Sequence, residues 1–277
     1  MAGNLEFGTG KSIFATNKNT IMFKAFLLTI STLVLFLATA TAQKEDNRAN
    51  KGSLLAFHLS YAYELPGVDL KARFGNNSSL GLASEWMTDK GNWIMGLKFN
   101  YFFGNTVKQD VLAHLRTPEP ASAIIGNDRS YADIQLRERG FYTGLVFGKL
   151  FLLPSIEKRS GIRVTISTGL LQHKIRIQDD PVKPVAQLNE DLKKGYDRLS
   201  NGLAFNEFIG YQILSNSNRI NFIIGFEFTQ GFTQNRRSFN YDTMVKETVK
   251  RIDIQSGIRV SWVLPLYIGR DASEIYY

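Results

Sequence analysis

Residues 219–233 alternate between two kinds of side chain. Ile220, Phe222, Ile224, Phe226, Phe228 and Phe232 are aliphatic or aromatic. Apart from Ile223, the residues between them (Asn221, Gly225, Glu227, Thr229, Gly231, Thr233) are small or polar. Successive side chains of a strand point to opposite faces, so this period of two predicts a β-strand with one apolar face. The same alternation recurs at 54–65, 79–88, 93–103, 140–149, 161–171, 203–214 and 251–264. The run at 203–214 is less regular because Glu207 falls among the bulky residues, and a bulge is expected there. Long connections at 66–78, 104–139, 179–201 and 234–250 alternate with short ones at 89–92, 150–160 and 216–219. This predicts a meander whose elaboration lies at one end.

Two architectures accommodate about eight strands of about ten residues each in this order: a soluble barrel and an outer-membrane barrel. They differ in which face is apolar. The polar set contains His58, Glu64, Glu85, Lys98, Arg163, Glu227, Asp253 and Arg259, together with many glycines. Eight strands enclose just enough room for side chains, too little for the Phe, Trp and Leu of the other set. The expected fold is therefore all-β: an eight-stranded antiparallel up-and-down transmembrane β-barrel of the outer-membrane type. Its lumen would hold a charge network of Glu85, Lys98, Arg163, Glu227, Asp253 and Arg259. Glu227 would lie beside Arg163 or Arg259, and Glu85 and Lys98 would sit in nearby rows. Tyr61, Tyr63, Trp86, Trp93, Tyr101, Trp262 and Tyr267 cluster toward strand ends, as interfacial girdles do.

The amino-terminal region changes the picture of location. Residues 22–42, "MFKAFLLTISTLVLFLATATA", combine Lys24, an apolar run to Leu37 and a small-residue close at Ala40-Thr41-Ala42. That is the form of a secretory signal peptide, with Met22 as the natural start, residues 1–21 as an upstream extension and 43–277 as the barrel. The "GTGKS" at 8–12 suggests a phosphate loop, but Leu5 stands where the first glycine is needed and no strand precedes it.

Composition adds little. The chain has 277 residues, no Cys and a formal charge of +8. A disulfide frame and thiolate metal sites are excluded. The positive charge suits an anionic membrane surface, and no motif points to nucleic acid as a partner.

The segments "GLLQHKIRIQDD" (169–180), "KKGYDRLSNGLAFNEFIGYQ" (193–212), "GFEFTQGFTQNRRSFNYDT" (225–243) and "WVLPLY" (262–267) resemble a group of small outer-membrane β-barrel proteins of Bacteroidota. Gln43 as first mature residue is similar to that group's habit. The resemblance implies a small closed barrel in the outer membrane more than any activity. By analogy it suggests an accessory part of a secretion or surface assembly.

Candidate chemistry is sparse. Of the three histidines, His58 falls on the polar face, His114 in a long loop and His173 at the end of the fifth strand. Ser167 lies six residues before His173, roughly 20 Å along a strand, too far for a nucleophile–base pair. His173 with Asp179 or Asp180 has no evident nucleophile, so a lipid-modifying enzyme with a rim site ranks second and a small-solute pore third. Asp179, Asp180, Glu190, Asp191 and Asp197 could hold a hard cation. Lys183, Lys193, Lys194 and Arg198 among them favour a self-neutralising loop, so neither metal nor cofactor is expected. The loop 104–139 carries both charge signs in "RSYADIQLRERGFY". The loop 234–250 is basic, with Arg236, Arg237, Lys246, Lys250 and Arg251 against Asp242 and Glu247. Near the outer leaflet these residues could contact lipopolysaccharide phosphates or a partner protein of the outer membrane or periplasm. Asp242-Thr243-Met244 is similar to a short acceptor for protein O-glycosylation in Bacteroidota. The expected role is non-enzymatic, structural or interacting.

Overall fold

The computed structural model describes residues 52–153, 159–215 and 221–268. The signal segment 22–42, the extension 1–21 and the turn 216–219 lie outside the described residues. Ten strands form among them: β1 Ser53–Gly67, β2 Asn77–Met87, β3 Trp93–Gly104, β4 Ile124–Ile125, β5 Tyr131–Ala132, β6 Gln135–Leu152, β7 Gly161–Gln178, β8 Ser200–Leu214, β9 Asn221–Asn235 and β10 Lys250–Ile268. A short α-helix, α1 Val68–Arg73, follows β1. Eight strands close a barrel in the order β1-β10-β9-β8-β7-β6-β3-β2, and β4 and β5 pair as a separate hairpin. All barrel pairs are antiparallel, and β1 closes on β10 over the whole length of β1, from Ser53 opposite Ile268 to Gly67 opposite Ile254. Closure leaves no strand edge unpaired.

The two faces divide by chemistry. Phe226, Leu145, Leu97, Leu82 and Ile209 are each more than half exposed on the outside, within a continuous belt of exposed aliphatic and aromatic side chains. His58, Glu85, Lys98, Arg163, Asn206, Glu227 and Arg259 are buried inside. A belt of this size facing water would be an aggregation surface. Facing hydrocarbon it is the solvent-matched side of a transmembrane barrel of the outer-membrane type. Phe226, 67% exposed at the middle of β9, tests this. Phe226→Arg is expected to cost roughly 2–4 kcal/mol of stability in lipid, the depth-dependent penalty for a cation at midplane. Urea unfolding from liposomes measures it, and wild-type stability would contradict the assignment of faces.

Four details differ from the sequence-based expectation. First, β8 has no bulge: it pairs residue for residue with both β7 and β9. Glu207 simply points outward opposite Ile166 and Phe228, and Phe208 turns inward. Room for Phe208 exists because Gly210 and Gly225 face it: a Cβ built on either would stand 2.6 or 2.8 Å from the ring. The ring then lies 5.6 Å from the Arg259 guanidinium carbon. Second, β6 begins at Gln135 and β7 runs to Gln178, so two strands extend well past the apolar belt. Third, the long connections shorten accordingly to 68–76, 105–134, 179–199 and 236–249. Fourth, Tyr267 faces inward, against the cluster at the short-turn end, and not into a girdle. Tyr61, Tyr63, Trp86, Trp93, Tyr101 and Trp262 do face outward.

Candidate functional site

The lumen is filled by three charge clusters stacked along its axis. Toward the short-turn end, Glu85 accepts from Arg163 and lies 3.1 Å from His58 Nε2, while Arg163 also donates to Gln212 at 3.0 Å. At mid-height Glu227 accepts from Lys98 at 2.5 Å, from Arg259 and from Asn206, and Asn206 in turn donates to Thr229 at 2.7 Å. Near the long-loop end Asp253 accepts from Arg73 at 2.5 Å, lies 2.8 Å from His173 Nε2 and accepts from Thr233. The six charged residues expected in the lumen are thus all inside it; Glu227 meets Arg259, one of its two expected partners, and Glu85 and Lys98 sit in neighbouring rows without pairing. Glu85 takes Arg163, and Lys98 belongs with Glu227 and Arg259. Every one of these carboxylates has at least one cation on it, as burial of charge demands.

Apolar clusters close the lumen above and below. Leu54, Met87, Ile94, Leu150, Leu214, Ile223 and Val263 pack together at the short-turn end. At the other end the long loops make a core of their own from Leu70, Phe74, Val111, Leu112, Ile124, Ile134, Ile175, Val185, Leu188 and Tyr196. Between them, the space enclosed by His58, Glu85, Lys98, Arg163 and Arg259 amounts to about 20 Å³, the room of one water.

The loops form a folded cap. Lys108 donates its backbone N–H to the Arg73 carbonyl at 2.8 Å, joining the first loop to the second. The second joins the third through the Asn127 N–H on the Pro184 carbonyl at 3.0 Å and the Ala186 N–H on Asn127 Oδ1 at 3.0 Å. The third joins the fourth through Arg198, which donates to Glu247 at 2.8 Å and to Asp242, and through Arg237, which donates to Asp197 at 2.5 Å. The Asp197 carboxylate holds the Arg237 guanidinium more firmly protonated than usual. Tyr196 and Tyr241 meet edge to face at 5.4 Å, and His114 stacks on Tyr196 at 5.5 Å.

These contacts relocate the candidate chemistry. His173 is fully buried and points at Asp253, not at Asp179 or Asp180. The hydroxyl beside that pair, Thr233, donates to the same carboxylate, which leaves it turned away from the histidine. Ser167 bonds to Tyr142 of the neighbouring strand β6, along the inner wall. The acids of the third loop are engaged: Asp179 and Glu190 by Lys193, Asp191 by Lys194 and Asp197 by Arg237. Asp180 accepts the backbone N–H groups of Val182, Asp133 and Lys183, which hold its carboxyl below the usual range. In the basic loop, Arg237 and Arg251 are neutralised by Asp197 and Glu247, and Arg236 donates to Asn201 at 2.5 Å. Lys246 and Lys250 are exposed. The five residues therefore do not form one free cationic surface. Thr243 is exposed at the tip of the same loop.

Sequence reasoning missed Arg73, which reaches Asp253 from α1 inside the first loop, where alternation carries no information. It also missed the inward placement of His173. That signal existed: His173 stands ten residues after Arg163 on one strand and shares its parity.

No family model matches the chain, and no curated protein matches it in sequence. Among solved structures it is similar to Ail, the attachment invasion locus protein of Yersinia pestis, at 10% identity and TM-score 0.36, over 78% of this chain and 100% of that one. It is also similar to Neisserial surface protein A, at 8% identity and TM-score 0.35 over 76% and 98% of the two chains. The amino-terminal β-barrel domain of Pseudomonas aeruginosa OprF gives 12% identity and TM-score 0.32 over 77% and 98%. At that distance the likenesses carry no argument about role. The barrel is defined by its own strand pairing and its two faces.

Proposed function

We propose that the chain is a non-enzymatic integral outer-membrane barrel of the Bacteroidota type that acts through its cap, as an interaction subunit of a surface or secretion assembly. The observation that carries this reading is the closed lumen: both ends are plugged by apolar clusters, Glu85, Glu227 and Asp253 are each paired with a cation, and the buried Glu64 and Glu138 accept hydrogen bonds from Ser79 and Asn77. Such an interior supports neither conduction nor access of substrate to the buried histidines. What remains open to partners is the cap, where Val182, Tyr131 and Ile125 on adjoining loops and Met244, Val245 and Val249 on the fourth loop stand exposed. Outer-membrane barrels keep their short turns in the periplasm, so the cap faces the outside and both ends of the barrel chain face the periplasm.

Two measurements test the proposal. An epitope inserted at Pro120 is expected to be reachable by antibody on intact cells and one at Gly91 only after permeabilisation; surface labelling at Gly91 alone overturns the orientation. A photo-crosslinking residue at Val182 or Met244 is expected to give discrete protein adducts in native membranes, whereas the purified protein gives no conductance steps in planar bilayers. Steady conductance without adducts would restore the pore.

A further inference from the structure

Four cations stand together on the outward face of β6 and β7. Arg137 pairs in register with Arg176, and Arg139 with Lys174. They share the outward parity of Leu145 and Phe147 on β6 and of Leu170 on β7, while Glu138, His173 and Ile175 between them are buried. Cross-strand neighbours lie about 5 Å apart and same-face neighbours along a strand about 7 Å, so four positive side chains spring from one small patch. Arg139 lies within electrostatic range of both Arg137 and Arg176. Among the described residues none of the four forms an ion pair. Arg137 donates to the side chains of Asn105 at 3.1 Å and Gln135 at 2.8 Å. Arg139 donates to the carbonyls of Gly104 at 3.2 Å and Glu138 at 2.6 Å. These neutral acceptors orient the guanidinium groups and leave their charge uncompensated. Like charges set directly opposite one another destabilise a sheet unless an anion joins them.

The position of the patch names the anion. The next outward residue below Arg139 is Phe141, in register with Tyr101 and stacked with Phe99 at 6.0 Å between ring centroids. Rings of this kind mark the level of lipid headgroups. The quartet therefore sits just above the acyl region, at the end of the barrel that bears the cap. Beside Lys174 and Arg176 a cleft of about 470 Å³ opens beneath the third loop. Three acids line it as well, but Asp179 and Glu190 are bound by Lys193 and Asp197 by Arg237. Glu190 also lies in electrostatic range of Lys174, though its side chain is 90% exposed to solvent.

We propose that Arg137, Arg139, Lys174 and Arg176 bind the phosphate of an anionic glycolipid of the outer leaflet, of the lipid A class, whose acyl chains lie along Phe141, Leu145 and Leu170. Arginine forks supply paired charge-assisted hydrogen bonds to phosphate oxygens, and Lys174 adds a point charge. The proposal rests on the orientation proposed above and replaces the basic fourth loop as the lipid contact, because that loop spends Arg237 and Arg251 on its own acids.

The folded protein in neutral detergent is titrated, by native mass spectrometry, with phosphorylated lipid A, with the same lipid A after phosphatase treatment, and with inorganic phosphate. Phosphorylated lipid A is expected to bind at least about tenfold tighter than the dephosphorylated form. The quadruple variant Arg137→Gln, Arg139→Gln, Lys174→Gln, Arg176→Gln is expected to lose that preference. The double variant Arg139→Gln, Lys174→Gln, which keeps the charges farthest from the belt, is expected to lose several-fold, and Lys246→Gln with Lys250→Gln to keep it whole. Equal binding of the two lipids, an undiminished preference in the double variant, or full displacement by millimolar inorganic phosphate each overturns the site. The Pro120 epitope separates the two proposals. Loss of the lipid preference in wild type with Pro120 at the surface overturns the lipid site alone, and a periplasmic Pro120 overturns the orientation and the outer-leaflet occupant together.

Discussion

Glu227→Ala is expected to lower the unfolding free energy in detergent by roughly 3–5 kcal/mol, the cost of breaking a buried ion pair from one side. Glu227 is 3% exposed and is the shared acceptor of Lys98, Arg259 and Asn206. Its removal strands two cations in an interior with space for about one water, since the cavity beside them measures about 20 Å³. The control is Thr143→Ala on the outward face, expected to change stability by no more than about 0.5 kcal/mol. Thr229 is unsuitable as a control because it accepts a hydrogen bond from Asn206 at 2.7 Å. Pairing Glu227→Ala with Lys98→Met should recover part of the loss, because one of the stranded charges is then gone. Urea midpoints read from heat-modifiable gel mobility measure all three. An unchanged midpoint for Glu227→Ala, accompanied by ion-selective conductance, would mean a wet lumen and a pore.

Asp253→Ala is expected to cost a similar amount, roughly 3–5 kcal/mol, and to do something Glu227→Ala does not. Asp253 is fully buried and accepts from Arg73, His173 and Thr233. Arg73 belongs to α1, and the same helix is tied to β10 by the Ile252 N–H on Asp69 Oδ2 at 2.8 Å. Asp253 is therefore the link between the barrel wall and the first loop of the cap. Without it the apolar core formed by Leu70 and Phe74 with Val111 and Leu112 loses its footing on the barrel. The expected signature is faster proteolysis within 105–134 at a denaturant concentration where the barrel itself stays folded. Asp253→Asn, which keeps an acceptor for Thr233 but not the charge, should fall between. Cap proteolysis at the wild-type rate in Asp253→Ala would show that the loops hold together without this anchor.

How much of this was legible beforehand differs along the barrel axis. Within the apolar belt, alternation identified both faces almost residue by residue, because lipid outside and a crowded lumen inside impose opposite chemistry on successive positions. Above the belt, the contrast inverts. At 135–139 and 172–178 the inward face carries Leu136, Ile175 and Ile177 against the cap core and the outward face is charged, so the upper parts of β6 and β7 do not continue the pattern of the belt although they are paired strand. The outward quartet of Arg137, Arg139, Lys174 and Arg176 was hidden for the same reason. Glu207 misled in the opposite sense. Its carboxylate suggested a slipped register, yet strand pairing is a backbone matter and tolerates a glutamate outside and a phenylalanine inside, given the two glycines that face Phe208.

The sequence by itself determined the number of barrel strands, the up-and-down order, the inversion of apolar and polar faces and six members of the lumen charge set. These follow from a period of two and from the limited volume an eight-stranded ring encloses. Only the tertiary structure decided who pairs with whom. The stagger of the strands sets Lys98 beside Glu227 and Arg163 beside Glu85, and it brings α1 over the barrel mouth so that Arg73 meets an aspartate 180 residues away. Such partners come from strands distant in the chain, and a one-residue change of stagger would exchange them all, so no local pattern encodes them.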